Sequence, residues 1–156
     1  MIEFQNVSKT YKPGHPVVKS LNLHVNRGEI LVLIGPSGCG KTTTMKMVNR
    51  LVEPTAGKIL INGEDIHEQN PVELRKNIGY VIQNIGLLPH MTIAENVALV
   101  PKLKGWNKAD YLQRVDELLR MVNLSPEIYS RRYPQELSGG HQQRIGVIRA
   151  MAADPP

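Results

Sequence analysis

The 156-residue chain has the size of one ordinary domain, and its 41% apolar and 21% charged residues exclude a disordered polypeptide. Its single cysteine excludes an internal disulfide, and its apolar runs have the length of strands, so we expect neither a signal peptide nor a transmembrane helix. The basic residues behind the net charge of +5 are scattered along the chain and form no known nucleic-acid-binding motif, so we expect no nucleic-acid partner.

The first part of the chain is predicted to form strands separated by turns. Residues 2–8 and 21–25 are predicted as short strands, because apolar and polar positions alternate there, and residues 12–16 as the loop between them. Residues 29–34 contain an unbroken apolar run, which is typical of a parallel strand buried on both faces. A glycine-rich turn follows this run directly.

A helix is predicted from Lys41 to about Leu51, because Pro54 and Gly57 end the helical pattern. Two more strands are predicted after it, over residues 58–61, with a turn at Asn62-Gly63, and over residues 78–83.

The second half of the chain is predicted to be helical, with a small helical subdomain over about residues 87–134. Thr92 and Glu95 have the spacing of a capping box over a short helix that we expect to stop at Pro101. Asn107 is predicted to cap a longer helix, and Ser138 a last helix that runs to Ala153. The longer helix has one apolar stripe, formed by Leu112, Val115, Leu118, Leu119 and Val122.

Residues 35–42 match the phosphate-binding loop pattern at every specified position, between a predicted buried strand and a predicted helix. Its glycines let the backbone N–H groups and the helix N-terminus point at a phosphate, and Lys41 adds a positive charge. Thr42 is placed to offer its hydroxyl to Mg²⁺ and Thr43 to reach the α-phosphate side, whereas Cys39 is expected to be a small loop residue rather than a nucleophile. The predicted nucleotide-binding residues are Gly35, Pro36, Ser37, Gly38, Cys39, Gly40, Lys41, Thr42 and Thr43. A loop that merely connects strand to helix is the alternative.

A second motif, Leu137-Ser138-Gly139-Gly140-His141, has two glycines behind a serine at a predicted helix start. Exposed N–H groups at a helix start can bind an anion, so this motif is a second candidate anion site, and unlike the first it contains no lysine. A simple helix N-cap is the alternative. Together the two motifs resemble those of the ABC ATPase family, in which the second is the signature sequence. The family normally has glutamine at the position of His141.

The resemblance implies an α/β fold, a P-loop NTPase of ABC ATPase type with an N-terminal antiparallel β subdomain, a partial parallel core sheet and an α-helical subdomain. One ABC ATPase domain would cover residues 1–156, divided into the β subdomain and P-loop core (1–86), the helical subdomain (87–134) and the signature motif with its helix (135–156). It further implies that ATP and Mg²⁺ bind. The signature of one subunit would then close on ATP in the P-loop of a second copy, in a head-to-tail dimer.

Two more residues receive a role from this resemblance. Tyr11 lies where the family has an aromatic residue that stacks on adenine, although an ordinary loop tyrosine is the alternative. Gln83 matches the glutamine that contacts Mg²⁺ and the attacking water. The candidate catalytic residues are therefore Lys41 and Gln83, and the candidate Mg²⁺ ligands are Thr42 and Gln83.

Within the family, residues 42–51, 80–87 and 89–93 resemble ATP-binding subunits of importers for quaternary-ammonium osmoprotectants such as glycine betaine, carnitine and choline. This implies an ATP hydrolase in the cytoplasm, peripheral on the inner face of the cell membrane. Its partners would be a transmembrane permease and, indirectly, an extracytoplasmic solute-binding protein. Residues 84–91 are predicted to dock on the permease, because they follow Gln83 and contain Ile85, Leu87 and Leu88 close together, and a buried packing role for these leucines is the alternative. An ABC ATPase for another small molecule is an alternative. A DNA-repair ATPase is disfavoured because no long coiled coil separates the two motifs, and a translation-associated ATPase normally has two cassettes in one chain.

In the family, an apolar strand ending in Asp-Glu, named Walker B, and later a histidine follow the segment that resembles residues 150–156. These are not among the 156 residues, so the sequence predicts a chain truncated before the Walker B strand. Without that glutamate to activate water, we expect this chain alone to bind nucleotide but not to hydrolyse it.

Overall fold

The structure, a computed structural model, describes residues 1–82 and 85–155. The chain forms two compact units, Met1–Arg75 and Lys76–Pro156. The first contains a four-stranded antiparallel sheet in the order β2-β1-β3-β4. Its elements are β1 (Ile2–Lys12), β2 (His15–Val25), α1 (Lys41–Val48), β3 (Ala56–Ile61), β4 (Glu64–Asp65) and α2 (Pro71–Lys76), which ends at the unit boundary.

The two predicted N-terminal strands are longer than expected. Lys12 pairs with His15, so the predicted loop over residues 12–16 is reduced to a turn at Pro13 and Gly14, where Gly14 has a φ of 80°. The predicted turn between β3 and β4 is confirmed. Asn62 and Gly63 both have positive φ angles, 52° and 87°, which is the conformation that a tight hairpin requires.

The predicted strand over residues 29–34 does not form as a strand, and its side chains are exposed. Ile30, Val32 and Ile34 are 89%, 69% and 90% exposed. A parallel strand takes its hydrogen bonds from neighbouring strands, and within residues 1–82 and 85–155 no ladder pairs with this segment. The described part of the other predicted core strand, residues 78–82, is also outside any strand, so the partial parallel core sheet is not formed here.

The helix that follows the glycine-rich loop ends earlier than predicted. α1 stops at Val48 rather than near Leu51, because Arg50 adopts a left-handed φ of 50°. The N–H of Leu51 then turns back to the carbonyl of Lys46, at 2.9 Å, and closes the helix end.

The second unit is helical, as predicted. It contains α3 (Ile93–Leu103), α4 (Lys108–Met121), α5 (Pro126–Tyr129), a 3₁₀ turn (Pro134–Glu136) and α6 (Gly139–Met151). These helices pack around one apolar core, formed by Ile93, Val97, Ala98, Val115, Leu118, Leu119, Leu124, Leu137, Ile145, Ile148 and Ala152. Of the predicted α4 stripe, Leu112 is 42% exposed and is not one of these core residues.

The three predicted N-caps of this unit are confirmed. The hydroxyl of Thr92 accepts from the Glu95 N–H and the Glu95 carboxylate accepts from the Thr92 N–H, which completes the capping box. Asn107 accepts from the Asp110 N–H at 2.9 Å, and Ser138 caps α6.

The predicted stop of α3 at Pro101 is wrong. A proline so close to the helix end removes one hydrogen bond, and the N–H of Lys104 still reaches the Val100 carbonyl at 2.9 Å. The last helix ends at Met151 rather than Ala153. Among the helices of the described residues, none is both long and apolar enough to cross a bilayer.

Candidate functional site

The glycine-rich loop is packed tightly against β2. Gly38 and Gly40 have left-handed φ angles of 84° and 98°. Gly40 is buried, and a side chain there would lie 2.7 Å from the carbonyl oxygen of Val17 and 3.2 Å from Val18. Both the backbone angle and the lack of space therefore require glycine at position 40.

The first turn of α1 has backbone N–H groups without a side-chain cap. Gly40 is the N-cap residue, and its carbonyl accepts from the N–H of Thr44 at 2.8 Å and from the Thr44 hydroxyl at 3.1 Å. No acidic residue lies in this turn. The positive end of the helix dipole is therefore not neutralised by the side chains of α1.

Lys41 lies folded over the loop that precedes it. Its ammonium donates to the carbonyl oxygens of Gly35 and Pro36, at 2.7 and 2.8 Å, and lies 3.5 Å from the sulfur of Cys39. The lysine thus holds its charge next to the residues that the sequence predicts as a phosphate cradle. Cys39 is exposed and carries a free thiol, and a side chain on Gly35 would meet its sulfur at 2.7 Å.

The other predicted ligands of the loop are accessible. Ser37 and Thr42 are exposed, and Thr43 is half-buried. Tyr11 lies on β1 in the same unit and is 57% exposed, with the Lys9 ammonium 5.1 Å from the centre of its ring. Lys9 also donates to the carbonyl of Glu53 at 2.7 Å, which restrains the ammonium beside the ring.

The predicted role of Gln83 falls outside the described residues, as does Asn84. Within residues 1–82 and 85–155 no group of three or more His, Cys, Asp or Glu side chains could hold a metal ion. Of the two predicted Mg²⁺ ligands, only Thr42 can therefore be described, and its hydroxyl is in reach of solvent.

The second motif forms an exposed helix start in the second unit. Leu137 is buried in the core, and the Ser138 hydroxyl accepts from the N–H of His141 at 3.4 Å. Gly139 and Gly140 are exposed, and side chains there would meet nothing within 4 Å. The ring of His141 packs edge-on against Tyr129, with 5.4 Å between ring centres. Because the space around Gly139 and Gly140 is open, a large anion could lie close to the backbone of this turn.

Two side chains that support these loops were missed by the sequence analysis. Gln142 donates to the carbonyls of Pro134 and Leu137, at 2.8 and 3.1 Å, and so fixes the chain that leads into Ser138. Asn96 is fully buried and bonds the backbone of residues 88–92. An asparagine within the apolar face of a predicted helix is the only signal that could have indicated it.

Known proteins match this chain over most or all of its length. The profile of the ABC transporter family matches residues 18–156. The choline transport ATP-binding protein OpuBA of Bacillus subtilis is 62% identical over 156 residues, which cover all of this chain and 41% of that protein. The glycine betaine/carnitine/choline transport ATP-binding protein OpuCA of the same organism is 60% identical, with the same coverage. The chain thus spans about two fifths of the length of these relatives.

Among solved structures, a dimeric ATP-binding cassette in a post-hydrolysis state, bound to ADP and Pi, has a TM-score of 0.88 and 35% sequence identity. The match covers all of this chain and 71% of that chain. The expected ABC ATPase fold and the resemblance to ATP-binding subunits of osmoprotectant importers are therefore confirmed. Since the family profile extends over nearly the whole sequence, the chain belongs to the ABC transporter family.

Proposed function

We propose that this chain is a segment of an ATP-binding subunit that couples ATP binding and hydrolysis to import of a quaternary-ammonium solute of the glycine betaine, carnitine or choline type. The observation that carries the proposal is the position of Lys41. Its ammonium lies 2.7 and 2.8 Å from two carbonyls of the glycine-rich loop, beside the uncapped N-terminus of α1. A lysine, free N–H groups and a helix dipole in one place favour a phosphate group.

The loop would bind the β- and γ-phosphates of ATP through backbone N–H groups from Gly38 to Thr42. Lys41 would exchange its two carbonyl partners for phosphate oxygens, a charge-assisted bond worth about 1.5–3 kcal/mol. Tyr11 would offer its exposed ring to the adenine. Thr43 would contact the α-phosphate side, and the small residues Pro36, Ser37 and Cys39 would let the loop backbone lie close to the phosphates.

The residues present fit a Mg²⁺ ion that is held mainly by the nucleotide. The exposed hydroxyl of Thr42 is an oxygen ligand of the type that Mg²⁺ accepts, and Mg²⁺ commonly binds through few protein groups plus phosphate oxygens. When bound, the ion would neutralise charge that develops on the transferred phosphate. Gln83 would orient the attacking water, as the family resemblance implies.

The signature turn would complete the ATP site of a second copy in a head-to-tail dimer. Ser138 to His141 offer an exposed helix start with open space around Gly139 and Gly140, which suits contact with a nucleotide held by another subunit. The resemblance to a dimeric cassette supports this arrangement. We propose the same division into residues 1–86, 87–134 and 135–156, in which the last segment acts on the partner.

The permease would dock on the segment from Asn84 to Met91. In its described part, a cavity of about 310 Å³ opens beside Ile85, Leu87, Pro134 and Gln142. A groove of this size, lined by both apolar and polar residues, can accept the side chains of a short helix from a membrane subunit. The subunit would thus lie on the cytoplasmic face of the membrane. The solute class rests on similarity to OpuBA and OpuCA, and an extracytoplasmic solute-binding protein would contact this subunit only through the permease.

The test compares Lys41→Ala with Lys46→Ala in the full-length protein, using calorimetric titration with Mg²⁺-ATP. Both variants remove one lysine from α1, but Lys46 lies in its last turn, away from the loop. We expect Lys41→Ala to weaken ATP binding by about 10- to 100-fold or beyond detection, because a phosphate loses its charged partner. Lys46→Ala should bind like the wild type. Equal affinity in Lys41→Ala and wild type would mean that the loop is only a connector.

The solute class has its own test. Cells that depend on this transporter should accumulate radiolabelled choline, carnitine or glycine betaine, and lose the uptake with Lys41→Ala. Uptake of a different solute alone would favour the alternative, an ABC ATPase for another small molecule.

A further inference from the structure

The chain adopts an unusual turn at Ile85 and Gly86, which begins two positions after Gln83 in the sequence. Ile85 and Gly86 have successive left-handed φ angles of 57° and 59°, and the N–H of Ile85 bonds the carbonyl of Ile82 at 3.1 Å. A β-branched residue rarely adopts a positive φ, and such a conformation persists only where the surrounding structure enforces it.

The enforcing contacts come from one face of α6. Arg149 donates from its two terminal nitrogens to the carbonyls of Gly86 and Ile85, at 2.7 and 3.0 Å. Gly146, one turn earlier, makes room for the Ile85 side chain, because a side chain at position 146 would lie 3.3 Å from Ile85 Cγ2. The planar fork of arginine matches two neighbouring carbonyls in a way that lysine does not.

The environment of Arg149 is consistent with a fixed rather than a mobile side chain. The guanidinium is half-buried, and this burial lowers the pKa of Arg149 through desolvation. It nevertheless remains charged, since arginine is not deprotonated in proteins. Two charge-assisted bonds to backbone carbonyls offset the cost of removing it from water.

We propose that Arg149 is a positioning residue that fixes the Ile85-Gly86 turn, which begins two positions after Gln83 in the sequence, from the helix that begins at the signature motif. The 13 residues of α6 span about 20 Å as one rigid element. Its first turn carries Gly139 and Gly140, and its last carries Arg149. A change in the position of the signature turn is thereby transmitted to the segment that holds the proposed water-orienting glutamine. This inference rests on the proposed function.

The test uses the full-length protein assembled with its membrane partner. Arg149→Lys keeps the charge and removes the fork. We expect kcat for ATP hydrolysis to fall about fivefold or more, while KM for ATP stays within about twofold, because the P-loop contacts are untouched. Hydrogen exchange of the Gly86 and Leu87 amides should become about tenfold faster, whereas the core amides of Leu118 and Leu119 keep their protection.

Arg144→Gln is the matched control, because Arg144 lies on the same helix and donates to the carbonyl of Val122, at 2.9 Å, instead of to the turn. It should leave kcat and the exchange of Gly86 unchanged. Gly146→Ala is the second variant, which presses on Ile85 while leaving the arginine in place. Gly146→Ala should lower kcat for ATP hydrolysis without raising KM for ATP. If Arg149→Lys does not fold, this variant alone tests the positioning role of the turn.

Unchanged kcat in both Arg149→Lys and Gly146→Ala would overturn the inference. Faster exchange spread equally over Leu118 and Leu119 would do the same, since it indicates a general structural role. These outcomes differ from failure of the proposed function. If Lys41→Ala loses ATP while Arg149→Lys hydrolyses at the wild-type rate, only the positioning role is wrong.

Discussion

Replacing Asn96 by leucine should destabilise the second unit through two unpaired backbone groups. The side chain is fully buried, and its oxygen accepts from the Leu88 N–H at 2.7 Å. Its nitrogen donates to the carbonyls of Leu88, Met91 and Thr92, at 3.1, 3.1 and 3.0 Å. One side chain therefore holds the loop that enters α3 at its capping box.

The expected loss of unfolding free energy depends on which of these backbone groups keep a hydrogen-bond partner when the Asn96 side chain is replaced. The Leu88 carbonyl also accepts from the Met91 N–H, and the Thr92 carbonyl from the Asn96 N–H. Among residues 1–82 and 85–155, the Leu88 N–H and the Met91 carbonyl have the Asn96 side chain as their hydrogen-bond partner. Each unsatisfied group costs about 1–3 kcal/mol when buried, and these sites are only partly buried, so we expect a total loss of about 2–4 kcal/mol.

Urea unfolding of the full-length protein measures this loss, with Trp106 in the α3–α4 connection as the fluorescent reporter. A loss of 2–4 kcal/mol should lower the midpoint by about 1–2 M. Gln113→Leu is the control, because Gln113 is exposed on α4 and its side chain donates to the Glu117 carboxylate at 3.0 Å. If Asn96→Leu lowered stability no more than Gln113→Leu, the assignment of the loop geometry to this side chain would be wrong.

Two further predictions concern pH and the second motif. The backbone N–H and then the hydroxyl of Thr92 hold the pKa of the Glu95 carboxyl below its ordinary value of 4.5, so its contribution to stability is present above pH 4.5 and is lost as pH falls through the lower folded value. We expect Glu95→Gln to flatten this acid-side loss in urea midpoints measured between about pH 6 and pH 3, and an unchanged slope would refute the titration. Ser138→Arg should leave ATP binding by the monomer intact but prevent ATP-dependent dimerisation on gel filtration, because a long charged side chain would fill the open space at the α6 start. Gln113→Arg adds the same charge away from that turn and should dimerise normally, whereas loss of monomer binding in Ser138→Arg would exclude a role in trans.

Local signals predicted the local structure well. Thr92, Asn107 and Ser138 each cap the expected helix, since a cap requires only a side-chain oxygen and an N–H two or three residues away. The Asn62-Gly63 turn follows from the same kind of short-range geometry.

Long-range supports were not predictable from patterns. Nothing in the spacing of Arg149 indicates which carbonyls it meets, because they lie 63 and 64 positions away along the chain. The acceptors of Asn96 and Gln142 lie within eight positions, but in loops whose path no periodic pattern predicts. Pro101 shows the opposite kind of error, because a strong local signal predicted a helix end where the helix in fact continues. The helix continues for two residues beyond it, because near a C-terminus few hydrogen bonds remain to be lost.

The contacts that hold the phosphate loop in this structure lie outside the segment that was predicted as the preceding strand. The segment over residues 29–34 has no ladder partner within residues 1–82 and 85–155, and Ile30 and Ile34 are almost fully exposed. The loop is shaped instead by Gly40 against the Val17 carbonyl on β2 and by the bonds of Lys41 to Gly35. Both contacts lie within the antiparallel unit. Phosphate binding by Lys41 is therefore expected to require the β1–β2 hairpin, because Gly40 packs against the Val17 carbonyl on β2.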